Sequence, residues 1–170
     1  MKFSFYFIFS MTLMVCCRKA FAQNSKDSMI TKELLTGVWQ ANTNMVTSAL
    51  HANFQFFANG KFIYNVDEYD DLNPLRKVSG TFKINNGNLN LKISAITELV
   101  DYKVVESDPA FQFGPFQVFG GKLINISPKD TSYSSHEIKK IENKTKQSCI
   151  IIDSDKYYKI SNSPGAFNKR

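Results

Sequence analysis

From residue 53 to residue 94 the apolar side chains recur with a period of two, and tight polar turns cut the runs short. Phe54 and Phe56 alternate with Asn53 and Gln55; after Asn59-Gly60, Phe62, Tyr64 and Val66 alternate with Lys61, Ile63 and Asn65. Gly80, Phe82 and Ile84 then stand against Ser79, Thr81 and Lys83, and after Asn85-Asn86-Gly87, Leu89, Leu91 and Ile93 stand against Asn90, Lys92 and Ser94. Successive side chains on a strand point to opposite faces, so each run buries one face and wets the other. A chain written this way folds as a small antiparallel barrel or sandwich.

Elsewhere the pattern predicts one domain with two loose ends. Thr31-Lys32-Glu33-Leu34-Leu35 suits a single helical turn capped by Thr31 and ended by Gly37. After Ile96 the alternation weakens. Leu99 to Glu106 reads as a strand with Val100, Tyr102 and Val104 on one face, and Pro109 and Pro115 frame the aromatics Phe111, Phe113 and Phe116 in a loop. Gly120-Gly121 reads as a two-residue hairpin turn between Phe116–Phe119 and Lys122–Ile126. His136–Glu142 fits a strand or a helical turn, and Cys149–Asp153 with Lys156–Ile160 closes the chain as a hairpin. The count is about eight to ten strands with no long amphipathic helix. The class is all-β, with a barrel domain over 31–161 between tails at 23–30 and 162–170.

Residues 1–22 combine one early charge, Lys2, with an apolar stretch from Phe3 to Cys17 and a closing Ala20-Phe21-Ala22. Small residues at the third and first positions before the cut suit a signal peptidase, which places cleavage before Gln23 and the protein in the periplasm or outside the cell. The stretch is about fifteen residues, short of the ~20 that span a bilayer, so no transmembrane segment is expected in the mature chain. Lipoprotein processing at Cys16 or Cys17 is the minor alternative, because Val15 is bulkier than the residue usual before a lipidated cysteine. Lys2, Arg18 and Lys19 leave with the segment, so the net charge of +6 falls to +3. That residual charge forms no stripe of the kind that tracks phosphates, and nucleic acid is not an expected partner. One cysteine then remains, Cys149, inside the apolar run Ser148–Ile152, where burial makes a structural thiol rather than a nucleophile.

The segment Glu33-Leu34-Leu35-Thr36-Gly37-Val38-Trp39 resembles the opening of the lipocalin-like (calycin-like) domains of exported bacterial proteins. Phe54–Phe62 is similar to their aromatic hairpin with its Asn-Gly turn, and Gly80–Ile84 with Gly87 and Leu89–Leu91 to the hairpin after it. The resemblance runs from about residue 33 to residue 94. It implies an up-and-down barrel with an apolar interior, closed at one end by Gly37 and Trp39 under a basic residue of the last strand, here Lys159.

The alternation turns Phe54, Phe56, Phe62, Tyr64, Phe82, Leu91 and Ile93 inward. A packed interior is the default for such aromatics, and a ligand-sized cavity is the further claim. Among the polar features, Asp67-Glu68-Tyr69-Asp70-Asp71 offers carboxylates to a hard cation but lacks the glycine and spacing of a calcium loop, so a solvated hairpin loop is expected. His51 and His136 are too few for zinc. No nucleophile elbow, phosphate loop or nucleotide fingerprint is present, and neither an enzyme nor a cofactor is expected. The expectation is an exported, non-catalytic protein that holds a small apolar or amphipathic ligand in its barrel. The alternative is a cell-envelope interaction module with a filled barrel, which would hold a protein partner through Phe111, Phe113 and Phe116.

Overall fold

The computed structural model describes residues 30–46, 50–70, 72–107, 115–141 and 147–167. The expected signal segment, Asp71, Phe111, Phe113 and the chain's last three residues lie outside these. Among the described residues one short helix, α1 (Lys32–Leu35), precedes nine strands: β1 (Gly37–Ala41), β2 (Asn53–Phe56), β3 (Lys61–Asn65), β4 (Leu75–Asn85), β5 (Asn88–Glu106), β6 (Phe116–Ile126), β7 (Ser134–Ile141), β8 (Cys149–Ile152) and β9 (Asp155–Ser161).

All pairings are antiparallel. Strands β1 to β5 pair in chain order, β5 pairs with β7, β7 with β8, β8 with β9, and β9 returns to β1. This is a closed eight-strand barrel with β6 as an extra strand. The turns carry the residues that demand them. Asn86 and Gly87 are both at positive φ between β4 and β5, as a two-residue hairpin requires. At Asn59-Gly60 the Lys61 amide donates to Asn59 Oδ1 at 3.0 Å. Thr31 caps α1 by accepting from the Leu34 amide at 3.3 Å.

Two expectations change in the second half. Leu99–Glu106 is no separate strand: β5 runs 19 residues without interruption. One of its edges pairs with β4; the other pairs with β7 over Asn88–Leu91 and with β6 over Ile96–Glu106. Gly120-Gly121 is not a turn either. Both lie inside β6 at φ 71° and 92°, beside Asp101 at φ 56°, and form an irregularity in a two-stranded arm. A Cβ on Gly121 would stand 2.9 Å from Leu99 Cδ1, so the kink brings backbone against side chain where only glycine fits. The ambiguous stretch from His136 is strand, within β7.

The core gathers the inward faces. Trp39, Phe56, Phe62, Phe82, Leu89, Ile138 and Ile150 are buried together, with Tyr64, Val78, Ile84 and Ile93 partly buried against them. Aromatic contacts knit the wall: Phe54 stacks on Phe56 at 5.2 Å, and Phe56 meets Phe82 edge-on at 4.9 Å. Among the described residues no helix is long and apolar enough to cross a membrane.

Candidate functional site

The two ends of the barrel differ. At one end α1 folds over the start of β1, and the Trp39 indole donates to the Leu35 carbonyl at 2.7 Å. Lys159 on β9 lies opposite Trp39 in register, donates to the Leu34 carbonyl at 3.0 Å and holds its ammonium 5.3 Å from the indole ring. Burial lowers the Lys159 pKa. Gly37 is at φ 131°, and a Cβ there would stand 2.3 Å from the Ser161 carbonyl oxygen. Gly37, Trp39 and Lys159 thus meet at one sealed end.

At the other end the interior opens into a cavity of about 340 Å³. Its apolar wall is Phe54, Phe62, Tyr64, Val78, Leu91, Ile93 and Ile152. Five of the seven inward residues expected from the alternation line it. Phe56 and Phe82 do not: they are buried in the core, packed ring against ring. The barrel is therefore part filled and part hollow.

The polar side of the cavity comes from β7, β9 and the β8–β9 turn. Directly opposed residues on paired strands share a face. Leu91 opposes Ser134 and Leu89 opposes His136, so both polar side chains turn inward with those leucines. On β9 the period of two places Asp155 and Tyr157 on one face, with Lys159 farther down at the sealed end. His136 Nδ1 lies 2.7 Å from Asp153 Oδ2, and His136 Nε2 lies 3.0 Å from Ser134 Oγ. An ionised Asp153 only accepts, so Nδ1 carries a proton, and in the neutral imidazole Nε2 is then the acceptor for the serine hydroxyl. The hydrogen bond from His136 holds the Asp153 carboxyl below the usual carboxylate range.

Serine, histidine and aspartate in this order are the roles of an acyl-transfer relay. Here, however, Ser134 is exposed on a regular strand and its hydroxyl is also 3.3 Å from the Leu91 carbonyl as an alternative acceptor. Asp153 also accepts from the Glu137 amide and donates its own amide to the Glu137 carbonyl, fastening the β8–β9 turn to β7. The three side chains stand at the cavity's rim, where the Asp153–Glu137 bonds hold the β8–β9 turn in place.

Burial raises the Tyr157 pKa strongly, with Tyr64, Asp155 and Asp153 adding to the effect; burial and then Asp155 and Asp67 raise that of Tyr64. Val78, Ser134, His136, Ile152, Asp153, Asp155 and Tyr157 had no alternating aromatic run to announce them. The one local signal was Asp155-x-Tyr157-x-Lys159 on the last strand.

A second recess, about 420 Å³, opens between β3 and β4 among Phe57, Asn59, Lys61, Ile63, Ser79 and Thr81. Lys61, Ile63, Ser79 and Thr81 alternate with the inward Phe62 and Phe82, so this recess belongs to the outer wall despite its size. Cys149 is buried, which raises its thiol pKa as expected of a structural cysteine. In the acidic loop, Asp67 receives His51 at 2.9 Å and the Tyr69 amide, while Glu68 receives the Leu50 amide at 2.8 Å. Those two carboxylates tie the loop to the segment before β2, and among the described residues no group of metal-ligating side chains is assembled. Apart from the barrel, the arm of β5 and β6 exposes Val104, Phe116, Phe119 and Leu123. Neither a protein-family model, nor a curated protein, nor a solved structure matches this chain.

Proposed function

We propose that this chain is an exported, non-catalytic, lipocalin-like binding protein that holds one small amphipathic molecule in the open half of its barrel. The observation that carries the reading is the 340 Å³ cavity, walled by inward aromatic and aliphatic side chains and rimmed by a few polar ones. Ligand sites have this composition, and its volume lies at the small end of their range of about 300–1,000 Å³. The closed eight-strand barrel and the meeting of Gly37, Trp39 and Lys159 at one end support the lipocalin-like reading. The hydrogen-bonded seal there leaves the mouth as the way in.

Native mass spectrometry of the protein purified from its own envelope tests this. A stoichiometric small-molecule adduct lost on denaturation is the expected result, and a bare protein mass that no added amphiphile shifts would overturn it. Tyr64→Trp places a reporter in the wall, and its emission should respond to the same molecule. A second reading rests on the β5–β6 arm. Phe119 is 70% exposed, and the β6 edge away from β5 has no strand partner among the described residues. Exposed apolar side chains on an open edge suit a protein partner that adds a strand. Loss of a co-purifying envelope protein in Phe119→Asp, with the fold intact, supports that reading; retention would sink it.

A further inference from the structure

Any ligand of this cavity must satisfy its polar end, and the lining narrows what that end can be. Among the described residues no lysine or arginine lines the cavity; its titratable groups are His136, Asp153, Asp155 and two tyrosines. The nearest arginine in sequence to the wall residue Val78, Arg76, turns toward the Asp70 carbonyl at 3.5 Å, outside the lining. His136 is held by Asp153. An anionic head group, such as the carboxylate of a fatty acid, would find hydroxyl donors there but would sit beside Asp153 and Asp155 with no lysine or arginine in the lining to offset them.

Three groups in the lining have no partner among the described residues. Tyr157 is 6% exposed as a residue, but its hydroxyl is not one of the fully buried polar atoms: it opens onto the cavity and makes no hydrogen bond among the described residues. It faces the cavity beside Tyr64, whose hydroxyl is likewise unbonded. Asp155, exposed at the same mouth, has neither an ion pair nor a hydrogen bond to its carboxylate among the described residues. Between them stands Phe54, with ring centres 4.7 Å from Tyr64 and 5.4 Å from Tyr157. Aromatic faces next to an unpaired carboxylate are the chemistry that holds an ammonium group. The phenol oxygens supply further acceptors.

We propose that the cavity selects a cationic amphiphile, seating its apolar body against Phe54, Phe62 and Ile93 and its ammonium head between Asp155 and the hydroxyls of Tyr64 and Tyr157. This rests on the reading of the cavity as a binding site. It goes further in naming the charge of the ligand and the residues that choose it.

The test uses three probes of equal chain length, decyltrimethylammonium, decyl sulfate and decanol, titrated calorimetrically below their micelle concentrations into the purified protein, Asp155→Asn and Tyr157→Phe. Decyltrimethylammonium should bind at least tenfold tighter than either other probe. Asp155→Asn should abolish that preference and leave decanol within twofold. Tyr157→Phe keeps the ring and its packing, and should weaken the ammonium probe severalfold less than the aspartate change does. Equal affinity for decanol, tighter binding of decyl sulfate, or a preference surviving in Asp155→Asn overturns the charge assignment while leaving the cavity as a site. Failure of all three probes to bind the parent protein overturns the assignment together with the reading it rests on.

Discussion

Replacing Trp39 with phenylalanine isolates the device that seals the barrel. The indole is fully buried, and its Nε1 donates to the Leu35 carbonyl at 2.7 Å. Phenylalanine retains most of the ring volume but leaves that carbonyl without a donor, in a place where Leu35 is itself fully buried. An unsatisfied buried acceptor costs about 1–3 kcal/mol. The lost pyrrole edge leaves a small void worth about 1 kcal/mol. The sum, roughly 2–4 kcal/mol, corresponds to a fall in Tm of about 5–15 °C for a chain of this size. Thermal unfolding followed by far-UV circular dichroism measures it without relying on tryptophan emission, which the substitution removes. A fall of under about 2 °C would refute the reasoning, because the carbonyl would then be satisfied some other way.

Three further outcomes follow from the geometry. Gly80→Ala puts a Cβ 1.9 Å from the Lys92 carbonyl oxygen at the β4–β5 bulge, so it should destabilise by more than about 2 kcal/mol in urea unfolding; a neutral result would mean the bulge yields freely. The Asp153 pKa is lowered in the folded state. Its contribution is therefore full above the ordinary value of 3.8 and lost as pH falls through the folded value; with the side chain 58% exposed, the effect is small. Asp153→Asn should flatten the acid limb of stability below about pH 4 in a chemical-denaturation series, and an unchanged limb would show that His136 gives the carboxylate no net stabilisation. Finally, a fluorophosphonate probe should leave Ser134 unlabelled by intact-mass analysis, whereas a covalent adduct absent in His136→Ala would convert the polar rim into a catalytic one.

Much of the fold was legible because the first three hairpins repeat one rule: apolar at every second position, with turn residues between. The same rule turned five cavity residues inward correctly. It did not separate them from Phe56 and Phe82, since alternation fixes the face of a side chain and not its height in the barrel. Height depends on stagger between strands, which only the closed pairing sets. The polar wall was illegible for a different reason. Strand β7 reads Ser134-Ser135-His136-Glu137-Ile138, with one buried hydrophobic, and nothing in that run distinguishes an inward serine from an outward one. The long β5 was cut in two because its inward residues fall out of step after Ile93, where the pairing with β4 shifts register at Ser79 and Gly80. The Gly120-Gly121 pair looked like a turn because two adjacent glycines usually supply one; here they relieve a crowded kink instead.

The arm bears on the mouth as well as on partners. Strand β5 passes the cavity at Ile93 and continues to Glu106, roughly 40 Å of extended chain, with β6 beside it. From Val100 onward β5 pairs with β6 alone, so the arm stands as a two-stranded ribbon beyond the barrel wall. None of the residues of β6 lines the cavity. It follows that Phe119→Asp should leave the affinity for decyltrimethylammonium within twofold while changing any contact the arm makes with another protein. A loss of tenfold or more, with circular dichroism unchanged, would mean that Phe119 reaches the ligand and that the arm works as part of the mouth. With affinity unchanged, cavity and arm are separable, and the arm's contacts can be tested apart from the ligand.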